Sequence, residues 1–345
     1  MKSKWTAGGL ALLVTLSLTA CGTSSGGSAQ GANGAGSAGG GAAQTPTQTQ
    51  APAAAGGQEA KAKAKAKTMT FLDKTYTVPE KAERIVITGA LESMEDAMVL
   101  GINPVGAISV SGKFPDMFKS ITGKAVSIGE KTEPNFEKIL SLKPDVILGS
   151  SKFKPEVMEQ LSKMAPTLPM SHISTNWEAN LLALGELTGK KAEADKVISQ
   201  YQADLKAAKA QLGEKMKDKK IVIVRVRAGS LYIYPESVFF NPSLYGELGF
   251  TVPAEVKAAK AQELISLEKF SQMNPDYVFV QFSEDENKDA PKALESLQSN
   301  PIWKSIAAVK NNKVFVNVVD PLAQGGASWG KIEFLKAAVA KLSGS

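Results

Sequence analysis

Short apolar runs alternate with helical segments over residues 68–345. Five runs have the continuous apolar character of strands that are buried on both faces: 84–88, 145–148, 221–224, 276–280 and 313–316. Because strands that alternate with helices form largely parallel sheets, this pattern predicts an α/β fold.

One helical segment is much longer than an ordinary connection between strands. Residues 190–217 are rich in Ala, Lys, Glu and Leu, contain no proline, and place apolar residues such as Ile198 and Leu212 on a helical repeat. At 1.5 Å per residue this helix is roughly 40 Å long. Strand-rich sequence lies on both sides of it. We therefore expect two Rossmann-like lobes, 68–189 and 218–345, joined by a single long helix, with a C-terminal helix at the end of the second lobe.

A short internal repeat supports two related lobes. Residues 135–147 align without gaps with residues 266–278. Each copy contains a Glu-Lys pair, beginning at Glu137 and Glu268, and a Pro-Asp pair seven and eight positions after the glutamate. The pattern predicts a short amphipathic helix that is stopped by proline and leads into a buried strand, once in each lobe.

Residues 1–20 have the features of a secretory signal. Lys2 and Lys4 precede an apolar run at 8–18 that is too short to span a bilayer as a stable helix. Small residues before Cys21 resemble a bacterial lipobox, so we expect Cys21 to carry a lipid; a cysteine near an ordinary cleavage site is the alternative. Cys21 is the only cysteine, so we expect no disulfide and no cysteine–metal site in the mature domain.

Residues 21–67 are expected to form a disordered tether. Residues 22–58 are almost wholly Gly, Ala, Ser, Gln, Thr and Pro, a composition that buries too little apolar surface to offset the entropy lost on ordering. The Lys-Ala run at 61–67 either contacts anionic lipid or wall polymers, or is the solvated end of the tether.

The composition, with 43% hydrophobic and 21% charged residues, is that of an ordinary globular protein. The net charge of +6 belongs mostly to the tail, because residues 68–345 contain 34 basic and 33 acidic residues. We therefore expect no nucleic-acid partner. His172 is the only histidine, which excludes a cluster of histidine metal ligands. The sequence shows no nucleophile–base set and no Gly-rich phosphate loop, so an enzyme is disfavoured.

Basic residues near the ends of predicted strands are candidates for an anion site. Arg225 and Arg227 are two positions apart at the end of an apolar strand, so both side chains leave the same face. Lys131 and Lys152 lie in loops next to predicted strands, where open α/β sheets present ligand sites. The alternative for the arginines is a pair of salt bridges to surface carboxylates.

Several stretches carry a resemblance to a known family: 87–89, 92–97, 111–118, 171–174 and 320–326. Together with the lipobox, the tether, the two lobes and the long helix, they make the chain similar to the substrate-binding lipoproteins of bacterial iron-siderophore importers. In particular, it resembles receptors for ferric catecholates such as bacillibactin and enterobactin. The resemblance implies a periplasmic binding protein of the helical-backbone type.

The resemblance also implies the ligand and its site. A ferric tris-catecholate is strongly anionic and has flat rings, so its receptor needs converging cations and apolar area. The basic pocket of the family corresponds to residues of both lobes that face one cleft: Lys131, Lys152, Arg225, Arg227, Lys260 and Gln262. The siderophore itself holds the iron, so we expect no metal ligand from the protein and no cofactor. A carboxylate (citrate-type) or hydroxamate ferric siderophore is the alternative ligand.

The remaining expectations concern transport. In this family one exposed glutamate on each lobe docks on arginines of the membrane permease, and the repeat places Glu137 and Glu268 in these positions; solvated helix carboxylates are the alternative. The implied partners are an ABC permease and its ATPase. We expect a monomer, held by the lipid on Cys21 at the extracytoplasmic face of the cell membrane. We also expect limited closure of the lobes, because one rigid helix crosses the hinge. A surface adhesion module would leave the basic cleft unexplained.

Overall fold

The computed structural model describes residues 65–344. The signal segment, Cys21 and the tether up to residue 64 lie outside this range. The described strands are β1 (Ala66–Phe71), β2 (Lys74–Pro79), β3 (Ile85–Ile87), β4 (Gly106–Ser109), β5 (Val126–Glu130), β6 (Val146–Ser150), β7 (Thr167–Met170), β8 (Ile221–Arg227), β9 (Ser230–Ile233), β10 (Glu263–Leu264), β11 (Tyr277–Phe282) and β12 (Val314–Val316). The described α-helices are α1 (Leu91–Leu100), α2 (Lys119–Thr122), α3 (Phe136–Ser141), α4 (Pro155–Ser162), α5 (Trp177–Thr188), α6 (Lys191–Met216), α7 (Ala254–Ala258), α8 (Leu267–Met273), α9 (Ala293–Ser299), α10 (Pro301–Ser305), α11 (Ala307–Lys310) and α12 (Ser328–Ser343).

Five parallel strands form the sheet of the first lobe, in the order β5-β4-β3-β6-β7. The central strands β3 and β6 are buried along their whole length, and Val86 pairs with Ile147. Both strands were predicted from their unbroken apolar runs, which are typical of strands covered on two faces. These predictions are confirmed.

The sheet of the second lobe is mixed, in the order β10-β9-β8-β11-β12. β8, β11 and β12 run parallel, as predicted, whereas β9 and β10 are antiparallel to their neighbours. A tight hairpin turns the chain directly from β8 into β9, because Ala228 and Gly229 both adopt positive φ angles, of 46° and 74°. Two consecutive left-handed residues give the turn whose twist matches that of antiparallel strands.

The long helix α6 has 26 residues, which at 1.5 Å per residue is about 39 Å. It packs against α5 of the first lobe and against the C-terminal helix α12. The predicted fold class, two α/β lobes with a long helix between them, is confirmed. The structure adds a second connection, since α12 also packs against α1 and α5 of the first lobe.

The apolar core is continuous from the first lobe into the second. In β8, Ile221 and Ile223 belong to the same cluster as the buried residues of the first lobe, whereas Val222 and Val224 belong to a separate cluster. Successive strand residues point to opposite faces of a sheet, so these clusters lie on the two faces of the second sheet. One face of the second lobe is therefore packed as part of a common core.

A β-hairpin of β1 and β2 precedes the first lobe. The folded region begins before the predicted end of the tether, because Ala66 and Lys67 already pair with Pro79 and Val78. The Lys67 ammonium also donates to the main-chain carbonyl of Glu186 at 2.8 Å. These two residues therefore belong to the folded domain and not to the tether.

The two copies of the sequence repeat form equivalent helix starts. Asn135 accepts a hydrogen bond at its side-chain oxygen from the Lys138 N–H, at 3.0 Å. Ser266 accepts the corresponding bond from the Lys269 N–H, at 3.2 Å. Each side chain satisfies an N–H group that has no partner within its own helix. α3 and α8 therefore begin in the same way.

The Pro-Asp pairs of the repeat are also equivalent in three dimensions. Asp145 Oδ2 accepts from the Arg84 N–H at 2.9 Å, just before β3. Asp276 Oδ2 accepts from the Lys220 N–H at 2.8 Å, just before β8. In each lobe the aspartate thus fixes the start of the neighbouring parallel strand, which explains why the repeat recurs with this spacing.

None of the helices within residues 65–344 combines the length and the apolar character that a transmembrane span requires.

Candidate functional site

A cavity of about 600 Å³ is lined by residues of both lobes. It contains all the residues that the sequence analysis assigned to the ligand: Lys131, Lys152, Arg225, Arg227, Lys260 and Gln262. The structure therefore brings together side chains that lie up to 131 positions apart in the sequence. Their role in binding stays a prediction, but the fold places all six side chains in the lining of one cavity.

The two lysines of the first lobe follow the carboxyl ends of parallel strands. Lys131 comes directly after β5, and Lys152 lies two residues after β6. Lys131 is half-buried, and its ammonium donates to Gln324 Oε1 at 3.3 Å. Burial lowers the pKa of Lys131, and the nearby charges of Lys152 and Arg225 lower that pKa too, against the influence of Glu92. The enclosed ammonium therefore lacks a strong counter-charge of its own.

The arginines of the second lobe share one carboxylate. Glu286 Oε2 accepts from Arg225 Nε at 2.7 Å, and Glu286 Oε1 lies 3.6 Å from Arg227 Nε. Both arginines therefore lie beside a carboxylate, as in the salt-bridge alternative that the sequence left open, because the loop after β11 places Glu286 next to the arginine strand. The loop is fixed there, since the Ala228 N–H donates to the Glu286 carbonyl at 3.0 Å.

Two aromatic rings form a wall of the cavity next to the arginines. Tyr234 and Phe239 stack with ring centroids 4.6 Å apart, and the Arg225 guanidinium lies 5.4 Å from the Phe239 centroid. Gln262 Oε1 accepts from the Tyr234 hydroxyl at 3.0 Å and from Arg227 Nη1 at 3.2 Å. Burial raises the pKa of Tyr234, so its hydroxyl stays a donor. The wall offers flat apolar area beside positive charge.

The lone histidine also lines the cavity. His172 Nδ1 lies 2.8 Å from Ser151 Oγ. Burial lowers the pKa of His172, and the charge of Lys152 adds to this effect, so the imidazole is neutral at pH 7. The position of His172 in the cleft was not predicted from the sequence.

The balance of charge in the cavity favours an anion. Five cationic side chains and three carboxylates line it. The cations are Lys131, Lys152, Arg225, Arg227 and Lys260, and the carboxylates are Glu92, Glu130 and Glu286. The three carboxylates, Gln324 and Phe239 were not predicted from the sequence, because they lie at a strand end, at helix starts and in loops, with no recurrent pattern.

Buried carboxylates of α1 connect the first lobe to the start of α12 at the base of the cleft. Glu95 accepts from the N–H groups of Gln324 at 2.8 Å and Gly330 at 2.9 Å. Asp96 Oδ1 accepts from the N–H group of Ser328 at 2.9 Å and from its hydroxyl at 2.7 Å. Burial raises the pKa of Asp96 to about 7 and raises that of Glu95 as well. α12 therefore takes its N-terminal cap from the other lobe.

The predicted docking residues lie on equivalent exposed positions. Glu137 and Glu268 are the second residues of α3 and α8, and both are exposed. Neither side chain makes a hydrogen bond or an ion pair within residues 65–344. Both carboxylates are thus accessible to a partner.

Over residues 65–344 no group of three or more acidic, histidine or cysteine side chains could hold a metal ion.

Comparisons with known proteins agree with this geometry. The sequence profile of the periplasmic binding protein family matches residues 86–317. An iron-uptake system-binding protein of Bacillus subtilis is 58% identical over 273 residues, which are 79% of this chain and 86% of that protein. An Fe(3+)-citrate-binding protein of Bacillus subtilis is 29% identical, over 69% of this chain and 74% of that protein.

A solved structure gives the same fold. The crystal structure of the triscatecholate siderophore binding protein FeuA from Bacillus subtilis, complexed with ferri-bacillibactin, matches with a TM-score of 0.78 and 58% identity. The match covers 81% of this chain and 99% of that one. The predicted resemblance is confirmed, and the chain belongs to the periplasmic binding protein family.

Proposed function

We propose that this protein captures a ferric catecholate siderophore of the bacillibactin or enterobactin type in its basic cleft and delivers it to an ABC permease for iron uptake. The observation that carries the proposal is the convergence of five cationic side chains from both lobes on one cavity that also has an aromatic wall. The relative of known structure that is 58% identical was solved with ferri-bacillibactin, which supports the same ligand class.

The chemistry of the ligand fits this arrangement. In a ferric tris-catecholate the catecholate oxygens complete the coordination of the iron, so the protein needs no ligand of its own to the metal. The complex is strongly anionic, and ammonium and guanidinium groups bind its outer oxygens. The catechol rings have faces that pack on Tyr234 and Phe239 and stack with the Arg225 guanidinium. The iron is therefore cargo and not a cofactor.

A citrate-type ferric siderophore is the second candidate. The 29% identical relative is an Fe(3+)-citrate-binding protein, and carboxylate oxygens bind arginine and lysine as catecholate oxygens do. The aromatic wall would then have no ring to pack against. A ferric tris-hydroxamate fits less well, because its iron centre is uncharged and leaves the five cations without a matching anion.

Delivery requires a partner on the membrane. We propose that Glu137 and Glu268 contact arginines of the permease, since each is exposed at the start of an equivalent helix, one per lobe. The ATPase of the importer supplies the energy. The protein acts as a monomer, and the lipid on Cys21 holds it at the extracytoplasmic face of the cell membrane. It performs no chemical step on its cargo.

Quenching of tryptophan fluorescence tests the ligand class. The purified protein is titrated with ferric bacillibactin, ferric enterobactin, ferric citrate and a ferric tris-hydroxamate. We expect saturable, tight binding to the two catecholates alone. Preference for citrate or for the hydroxamate would keep the transport role but overturn the ligand, and no binding to any of the four would overturn the proposal.

A further inference from the structure

The side-chain amide of Gln324 is fixed at the base of the cleft, in the segment between β12 and α12. Its Nε2 group donates to the Leu322 carbonyl, and its main-chain N–H donates to Glu95 Oε1 at 2.8 Å. A carbonyl accepts only from the NH₂ side of an amide, so the bond to Leu322 determines which side of the Gln324 amide faces the cavity. Gln324 Oε1 consequently points at the ammonium of Lys131, 3.3 Å away.

This contact crosses the cleft between segments that are far apart in the chain. Lys131 follows β5 of the first lobe, whereas Gln324 follows the last strand of the second, 193 positions later. The Gln324 main chain is in turn bonded to Glu95 on α1. Gln324 therefore has a fixed position relative to the lobe that carries Lys131, although it belongs to a different segment.

Lys131 depends on this acceptor. Within residues 65–344, the Lys131 ammonium makes its hydrogen bond to Gln324 Oε1. Its ion-pair candidates act only at longer range, because neither Glu92 nor Glu286 lies within salt-bridge distance of it. Burial and the neighbouring cations Lys152 and Arg225 all disfavour the charged form of Lys131, and so lower its pKa. A neutral amide oxygen stabilises the charged ammonium of Lys131 and leaves its positive charge available to a ligand. A carboxylate in the same place would cancel that charge.

We propose that Gln324 is a positioning residue of the siderophore site, whose amide oxygen holds the Lys131 ammonium charged and oriented so that its remaining N–H donors face the anionic ligand. The inference rests on the proposed function, since it concerns how Lys131 meets an anion. Gln324 acts through Lys131 and need not touch the ligand.

The test measures the affinity for ferric bacillibactin between pH 7 and pH 10 for four proteins: the wild type, Gln324→Leu, Gln324→Glu and the control Gln160→Leu. Gln160 lies on the exposed side of α4, so the control repeats the chemical change away from the cleft. We expect Gln324→Leu to weaken binding about 10-fold, the effect of losing a hydrogen bond to a charged group. The loss of affinity as Lys131 deprotonates should begin at a lower pH than in the wild type. Gln160→Leu should match the wild type throughout.

Gln324→Glu should shift the pH at which affinity falls in the opposite direction. Its carboxylate stabilises the ammonium, so the fall in affinity moves to higher pH, while affinity at pH 7 drops because the local charge is reduced. In a Lys131→Arg background, adding Gln324→Leu should not move the pH profile, since a guanidinium does not titrate in this range. Thermal melting shows that each variant is folded.

The outcomes separate this inference from the proposed function. If the wild type binds and Gln324→Leu has the same affinity and pH profile, the positioning role is refuted. If Gln324→Leu weakens binding equally at every pH, its effect is structural and the inference also fails. If the wild type itself does not bind ferric bacillibactin, the proposed function fails first.

Discussion

Arg225 and Arg227 form a matched pair for separating the stability of the fold from the binding of the ligand. They share a strand, a residue type and a partner, Glu286. The Arg225 side chain is 5% exposed, whereas that of Arg227 is 48% exposed. We expect both alanine variants to lose ligand affinity, but only Arg225→Ala to lose folding stability.

The expected magnitudes follow from the contacts. Arg225→Ala removes the 2.7 Å bond to Glu286 and the contact with the Phe239 ring. Breaking a buried ion pair costs about 3–5 kcal/mol, because one charge stays buried without its partner. Glu286 keeps an exposed fraction of 17% and retains Arg227, so we expect a loss of about 2–3 kcal/mol. Arg227→Ala breaks an exposed pair, which contributes about 0–1 kcal/mol.

Urea unfolding and siderophore titration measure the two effects on the same preparations. The unfolding midpoint and slope give the change in the free energy of unfolding. Adding Glu286→Leu to Arg225→Ala should restore part of the stability, because no uncompensated buried charge remains. Equal losses of stability in the two single variants would refute the reasoning from burial. Unchanged affinity in both would show that the arginines do not contribute to ligand binding.

Three further predictions concern delivery, closure and pH. Glu137→Ala and Glu268→Ala should leave siderophore affinity unchanged but reduce iron uptake by cells; a loss of affinity in the purified variants would contradict the docking role. The radius of gyration from X-ray scattering should change little on ligand binding, because α6 and α12 both connect the lobes, and a large decrease would contradict limited closure. Burial raises the pKa of Asp96 from 3.8 to about 7, so the folded state favours the protonated acid. The stability that Asp96 contributes is therefore fully present below pH 4 and is lost as the pH rises through 7. Asp96→Asn should weaken the decline in urea stability between pH 5 and pH 8, and an unchanged decline would show that another group causes it.

The sequence predicted the parts of the site that follow strands. Lys152, Arg225 and Arg227 lie just after the carboxyl ends of predicted strands, Lys131 follows β5, which was not among them, and parallel sheets gather such ends at one edge. The strands themselves were recognisable, because short unbroken apolar runs are typical of strands that are buried on both faces. The internal repeat likewise predicted the equivalent helices that carry Glu137 and Glu268.

The parts that sequence reasoning missed depend on distant contacts. Glu286 lies 61 positions from Arg225, and Gln324 lies 193 positions from Lys131. Neither lies in a periodic segment, so no local pattern marks it. The packing of α12 against α1 was missed for the same reason, since an amphipathic helix shows which face is apolar but not which helix covers it.

The cap that α1 provides for α12 has a consequence for the order of folding. Asp96 and Ser328 are 232 positions apart, so the first lobe is synthesised long before the donors that satisfy its buried carboxylates. Buried polar groups without partners are costly, and until the last helix arrives these acids must stay hydrated. The first lobe therefore reaches its final packing only when the chain is complete, and loss of the C-terminal helix would disrupt the lobe that is farthest from it in sequence.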